Sequence, residues 1–389
     1  MKSEWRKVNL GDVCDLIPGF AFKSKDFGSY PTKVVKIGDI QPPRVAIDCL
    51  EGVNLSSYSP NRLEKYLVTK GDFVLAMTGA TIGKLGRILA DKPAYINQRV
   101  LRFKPKENVD WNFIYYVVNT KDFSGFVYNH IDSETAQPNI SAGTLATFSF
   151  SIPPLPIQRK IASILSSLDD KIETNNAICR NLEEQSEAIF SQYYQKENEP
   201  RLFTSVIQIS GGGTPKTSEP SFWNGNIPFF TPKDAESPFA FTTEKTLTEE
   251  GLNNCSSILY PEWTTFITAR GTVGKISLAG RAMAMNQSCY ALISEEIHPL
   301  LIYFYALVVV KSLKQKASGA VFDAIVTRDF DREEIKLLKK DEQQLLLMRI
   351  EPIYTQIRSL KLENLKLAET RSALISKLMS GELSIDAIN

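Results

Sequence analysis

The sequence predicts an α+β protein with a pseudo-twofold internal repeat, in which two mixed α/β blocks are separated by two long helices packed as an antiparallel coiled coil. Three observations predict it. The first is self-similarity at an offset of about 185 to 190 residues, the mark of a duplicated unit. Thr78-Gly-Ala-Thr-Ile-Gly-Lys84 is echoed by Ala269-Arg-Gly-Thr-Val-Gly-Lys275, and Ile96-Asn-Gln98 by Met285-Asn-Gln287. Trp111-Asn-Phe-Ile-Tyr-Tyr116 then matches Pro299-Leu-Leu-Ile-Tyr-Phe304 in the same order. The second observation is a set of short β-branched or aromatic runs beside turn residues, which read as strands. The third is a pair of apolar seams at alternating spacings of three and four, the signature of paired helices.

In chain order, the first mixed block covers 1–155 and includes the runs Lys33–Ile37 and Phe73–Met77, with a helix expected around Trp111–Asn119. The first helical block, 156–198, carries the seam Leu165, Leu168, Ile172, Asn175, Cys179, Leu182, Ser186 and Ile189. The second mixed block, 199–340, has a strand at Thr265–Thr268 and a helix over Pro299–Lys311. The second helical block, 341–389, repeats the seam as Ile350, Ile353, Ile357, Leu360, Asn364, Leu367, Arg371, Leu374 and Leu378. Proline lacks an N–H and clashes with the preceding turn, so Pro352 predicts a break, with a helix of about 42 Å running from it to Met379. Asn175 and Asn364 lie on the seam, where a buried amide fixes register and partner choice; a local helix end or exposure would equally put them there.

Composition narrows the function. The chain has 389 residues, 43% hydrophobic and 23% charged, which fits a folded globular protein of several domains and excludes a disordered one. The longest apolar run, Leu300–Val310, is too short to span a bilayer, and Met1–Lys7 lacks a signal-peptide core, so a cytoplasmic location and no membrane partner are expected. Cys14, Cys49, Cys179, Cys255 and Cys289 form no CxxC or CxxH cluster and read as reduced, structural thiols. With only His130 and His298, neither metal chemistry nor a Ser–His nucleophile is well supplied. Net charge is +1 overall, but it is +4 over 1–155, −3 over 156–200, +1 over 201–340 and −1 over 341–389. That modest asymmetry permits contact with phosphate without requiring it.

Two glycine-rich stretches look like cofactor loops and fail on detail. Thr78–Lys84 has three residues, not four, between its glycines, and Leu85 stands where a P-loop needs Ser or Thr for magnesium. Ser210-Gly-Gly-Gly-Thr-Pro-Lys216 is followed by Pro220, so no helix opens to hold a phosphate on its N-terminus. Gln41-Pro-Pro-Arg44 and Ile152-Pro-Pro-Leu155 lack both the amide or carboxylate and the aromatic that an amino-methyltransferase uses on a flipped base.

Further motifs carry a family resemblance. Trp5-x-x-Val8-x-Leu10-Gly-Asp-Val13, Gly19-Phe-Ala-Phe-Lys-Ser24, Val35-Lys-Ile-Gly-Asp-Ile40, Ile152-Pro-Pro-Leu-Pro-Ile-Gln158, Ile161-Ala-x-Ile-Leu-x-x-Leu-Asp-x-Lys-Ile172 and Leu378-x-x-Gly-Glu-Leu383 join the repeated motifs above. Together they resemble the specificity subunits of type I restriction-modification systems, from about Trp5 to Leu383. The resemblance implies two target-recognition domains, each reading one half of a bipartite double-stranded DNA target. It implies helices that set the spacing and dock two methyltransferase subunits, a motor and nuclease subunit in the full complex, and no catalytic role or cofactor for this chain. S-adenosylmethionine would sit on the methyltransferase partners. Half-sites one helical turn apart are about 34 to 36 Å centre to centre, comparable with the 42 Å helix. The second helical block departs by opening on Lys340-Asp-Glu-Gln-Gln344 without the proline pair, which leaves its equivalence to the first open.

Under this resemblance the DNA-binding candidates are Lys23, Lys84, Arg99, Gln137 and Asn139 in the first copy, and Lys216, Lys233, Arg270, Lys275 and Ser288 in the second. Lysines shared between copies suit phosphate contact, with the backbone amides of the Gly-Lys turns beside them. Asn97, Gln98, Asn286 and Gln287 could read adenine, yet their recurrence favours a structural role, because residues that read different half-sites should differ. Arg99 and Ser288 do differ. A stand-alone DNA-modifying enzyme and a coiled-coil scaffold that never touches DNA are the competing readings.

Overall fold

A computed structural model describes residues 5–45, 47–131, 138–316 and 324–383. Its packing divides into two units, residues 1–171 with 367–389, and residues 172–366. The first is organised around the strand Phe73–Ala76, all four of whose residues are buried. Because side chains alternate along a strand, Phe73 and Leu75 enter one apolar cluster and Val74 and Ala76 another. An uninterrupted apolar run follows from burial on both faces. The strand lies third in a six-stranded sheet ordered Cys14–Pro18, Val100–Pro105, Phe73–Ala76, Leu85–Ile88, Arg44–Val45 and Ile40–Gln41. A second sheet holds Gly52–Val53, Phe27–Val35, Ala94–Ile96 and Leu67–Val68. Arg6–Asn9 pairs antiparallel with Ser149–Ile152. The helix Trp111–Val117 is capped by the Asp110 carboxylate, which accepts from Phe113 N at 2.9 Å.

The second unit repeats this plan. Its five-stranded sheet runs Gln208–Gly211, Cys289–Ile293, Thr265–Thr268, Ile276–Ala279 and Phe239–Ala240. The smaller sheet holds Lys245–Leu247, Trp223–Phe230 and Ala284–Met285, and Glu199–Leu202 pairs with Glu334–Leu337. The apolar run Leu300–Val310 lies in the helix Pro299–Lys316, whose residues Leu300–Ala306 are all buried. Among the described residues no helix is long and apolar enough to cross a membrane.

The long helices are Leu155–Tyr194 and Lys340–Met379, each of 40 residues and so about 60 Å along its axis. They start alike despite the missing proline pair: Gln158 Nε2 donates to Pro153 O and Gln343 Nε2 to Leu338 O, both at 2.8 Å. The break expected at Pro352 does not occur, since that residue lies inside the second helix. Pro352 is exposed, and so is Met348 one turn earlier, whose carbonyl loses its donor. Water can satisfy that carbonyl on the outer face while Ile350, Tyr354 and Ile357 hold the inner face buried. Pro352→Ala is therefore expected to raise stability by about 1 to 3 kcal/mol, read as an increase in the urea midpoint.

Every residue of the expected seam is buried or half-buried. Leu168, Leu374 and Arg371 belong to the first unit, with Leu367 at its boundary; Ile172, Asn175, Leu182, Ile189, Ile353, Ile357, Leu360 and Asn364 belong to the second. Asn175 is fully buried, and its Nδ2 donates to Asn364 Oδ1 at 2.9 Å and to Glu363 Oε2 at 2.8 Å. Asn364 Nδ2 in turn donates to Asn176 Oδ1 at 3.0 Å. In the first unit Arg371 forms an ion pair with Asp169, which also accepts from Tyr116 OH at 2.7 Å.

Candidate nucleic-acid interface

In the first unit the Gly-Lys turn joins Phe73–Ala76 to Leu85–Ile88, as a strand-to-strand connection. Gly79 and Gly83 take φ of +71° and +80°, left-handed values that a side chain would strain. The turn is drawn against two other loops by its backbone: Met77 N donates to Arg99 O at 2.9 Å, Gly79 N to Pro138 O at 3.0 Å, and Ile140 N to Met77 O at 3.0 Å. Lys84, Arg99 and Asn139 thus lie on one cluster of loops. Lys84 and Arg99 are exposed and Asn139 is half-buried, while Gln137 lies outside the described residues.

The second unit reproduces the arrangement. Ala269 N donates to Ser288 O at 2.8 Å, and Ile325 N to Ala269 O at 2.9 Å. Thr272 Oγ1 donates to Pro232 O at 3.1 Å, bringing the Lys233 loop to the turn. Arg270, Lys275 and Lys233 are exposed and Ser288 is half-buried. Lys233 is paired with Glu244 at 3.4 Å, so it is less available to a phosphate than Lys275.

One expectation fails here. The amides beside the turn lysines do not face outward: Gly83 N donates to Ala76 O, Lys84 N to Thr81 O and Gly274 N to Thr268 O, at 2.9, 3.0 and 2.8 Å, and Lys275 N donates to Thr268 Oγ1 at 2.9 Å. Closing a tight turn consumes these donors internally. The lysine and arginine side chains are what the turns present.

The loops holding Lys23 and Lys216 are placed by glycines that touch backbone. A Cβ on Gly19 would lie 2.1 Å from Asn97 O, and one on Gly212 would lie 2.2 Å from Asn286 O. Asn97 N donates to Val35 O at 3.0 Å and Asn286 N to Phe230 O at 2.9 Å. Their side chains turn back on the chain, Asn97 Oδ1 accepting from Gln98 N and Asn286 Oδ1 from Ser288 N, each at 3.0 Å. Gln287 Oε1 is bonded to Thr214. The shared asparagines are thus the joint between strand and loop. Lys23 and Lys216 remain exposed, with Lys23 N donating to Tyr58 OH at 3.1 Å.

Sequence reasoning missed two features. Lys36–Asp39 and Thr231–Asp234 form the same turn, in which Asp39 and Asp234 accept from Lys36 N and Thr231 N at 2.8 Å. The two segments share only the aspartate, which is too little for a repeat search. The second feature is the segment from Tyr58 to Tyr66, packed on the Lys23 loop with the Arg62 guanidinium 5.5 Å from the Phe20 ring and Lys65 Nζ 5.0 Å from the Tyr66 ring. Its topological counterpart, the helix Glu249–Asn253, opens with two acids instead. A comparison of the copies restricted to their helices could have found it.

Two copies of one scaffold, each gathering exposed cations and small polar residues on a loop cluster, define a duplicated recognition protein of the nucleic-acid-binding class. The model of the type I restriction modification DNA specificity domain matches residues 2–184 and again 195–369. The chain belongs to that family and is a type I restriction-modification specificity subunit with two target-recognition domains. Among its relatives, the type I restriction enzyme HindI specificity subunit of Haemophilus influenzae is 21% identical, over 98% of this chain and all of that one. The EcoBI specificity subunit of Escherichia coli is 28% identical over 44% of this chain and 34% of its own length. The crystal structure of a type I restriction-modification S subunit from M. genitalium shares the fold, with a TM-score of 0.56 at 15% identity over 96% of both chains.

Proposed function

We propose that each target-recognition domain reads one half of a bipartite duplex target through its loop cluster, with Lys84 and Lys275 on phosphate and Arg99 and Ser288 facing base edges. Lys23, Lys216 and Arg270 add backbone contacts, and Asn139 and Lys233 lie at the margin of each footprint. The long helices set the gap between the half-sites and dock two methyltransferase subunits. Those partners bind S-adenosylmethionine and methylate adenine, and a motor and nuclease subunit joins for cleavage, so this chain contributes recognition and no bond chemistry, in the cytoplasm. The observation that carries the reading is that the copies share their backbone hydrogen bonds while differing in exposed side chains. A common scaffold with divergent readout is what two different half-sites require.

The test is a map of methylated adenines in a host carrying this gene and its methyltransferase partner, against one lacking only this gene. A two-part motif with a fixed gap that disappears with the gene is expected; an unchanged map overturns the reading. Lys84→Ala and Lys275→Ala in the partner-loaded complex should each weaken binding evenly across sequences and flatten the slope of log K against log salt by about 0.9. An unchanged slope would remove that lysine from the phosphate contacts.

A further inference from the structure

The two long helices have equal lengths and equivalent starting glutamines, so positions about 185 apart correspond between them. Under that correspondence Asn175 matches Leu360, Cys179 matches Asn364, Asp169 matches Tyr354, and Ser186 matches Arg371. None of these pairs is alike. What each residue meets is nevertheless matched in kind. Asn175 donates to Asn364, both amides, at 2.9 Å. Cys179 belongs to an apolar cluster of the second unit, and half-buried Leu360 packs against that cluster. Asp169 meets Arg371 in the first unit. Buried Ser186 is satisfied by its own helix, donating to Leu182 O at 2.8 Å, while Tyr354 packs among Tyr303, Phe304 and Phe239.

We propose that these layers form a pairing code, by which each long helix accepts the other and rejects a second copy of itself. In a symmetric pairing of two first helices, Asn175 would face Cys179 and Asp169 would face Ser186, twice over. Two second helices would set Leu360 against Asn364 and Tyr354 against Arg371. Each mismatch takes from a buried or half-buried amide or charge the partner it meets on the other helix. At roughly tenfold in the pairing constant per stranded group, four of them disfavour a like pair by about 10⁴. The partner each helix fits is therefore the other half of this chain, and a symmetric assembly of one half is disfavoured against it.

The experiment starts from the complete folded chain, with a protease site inserted in the exposed segment Gln195–Glu197 and cut only after folding. Labelled and unlabelled cut protein are mixed in urea at the concentration where first fragments exchange between complexes, and native mass spectrometry counts mixed and like pairs. Mixed pairs are expected almost alone. Like pairs in statistical proportion would overturn the proposal. In Asn175→Leu with Asn364→Cys, both central layers become a leucine facing a cysteine, so discrimination at that layer is removed, while half-buried Glu363 and Asn176 each lose one donor. The ratio of like to mixed pairs should then rise about a hundredfold, with the mixed complex still assembled. An unchanged ratio would show that the buried amides are packing elements and carry no partner choice.

Discussion

Gly212→Ala is expected to abolish recognition of one half of the target while leaving the other half read, and Gly19→Ala to do the reverse. The added methyl on Gly212 would lie 2.2 Å from Asn286 O and 2.5 Å from Met285 O; on Gly19 it would lie 2.1 Å from Asn97 O and 2.5 Å from Ile96 O. All four obstacles are backbone atoms, so no side-chain rotation relieves them. The loop must separate from the strand end, breaking the bond from Phe20 N to Ile96 O or from Gly213 N to Met285 O. A destabilisation of about 3 kcal/mol or more is expected, in the range where backbone strain and lost packing combine. The methylated motif of each variant, mapped in the host, checks it. Retention of both half-sites would mean that these loops tolerate displacement and lie outside the recognition surface.

The second large effect is loss of stability in alkali. Burial pushes the phenols of Tyr303 and Tyr305 up to about 12 and the Cys14 thiol up to about 12. Burial also raises Tyr116, Tyr354 and Cys289. In the unfolded chain these groups ionise near 9 for thiols and 10 for phenols, and in the folded one they stay protonated. Their contribution to stability is therefore complete below about pH 9 and is lost as pH rises from there toward 12. At 1.36 kcal/mol per unit, Tyr303 and Tyr305 together account for about 5 kcal/mol by pH 12. Urea titrations at pH 8, 10 and 12 should show a decline already begun at pH 10 and much larger at pH 12. Equal stability at pH 8 and 12 would contradict the burial of these phenols.

The duplication and the helix pairing were legible because they rest on periodicity, which survives divergence. Asn175 and Asn364 stood out as polar interruptions of an apolar seam, a pattern that left burial and exposure equally open; the structure buries Asn175 and bonds it to half-buried Asn364. Pro352 misled because a helix tolerates proline when the orphaned carbonyl faces water, and sequence does not say which face is wet. The second helical start was obscured for a similar reason. Gln343 performs the same hydrogen bond as Gln158 without the prolines that made the first start recognisable. At the loop clusters the glycines were visible, but the direction of their amides was not, since that depends on strand ends far away in sequence. Arg62 gave no signal of its own, being one base in a polar segment until tertiary packing set it on Phe20.

The short pairings Arg6–Asn9 with Ser149–Ile152 and Glu199–Leu202 with Glu334–Leu337 join the beginning of each mixed block to its end. A block stitched shut in this way behaves as a cassette, because its two chain crossings emerge side by side whatever the interior contains. Recombination between genes within the helix-coding stretches would exchange whole cassettes without disturbing the strand registers inside them. New target combinations could then arise in one genetic step, with the helices serving as the common grammar into which different words are set.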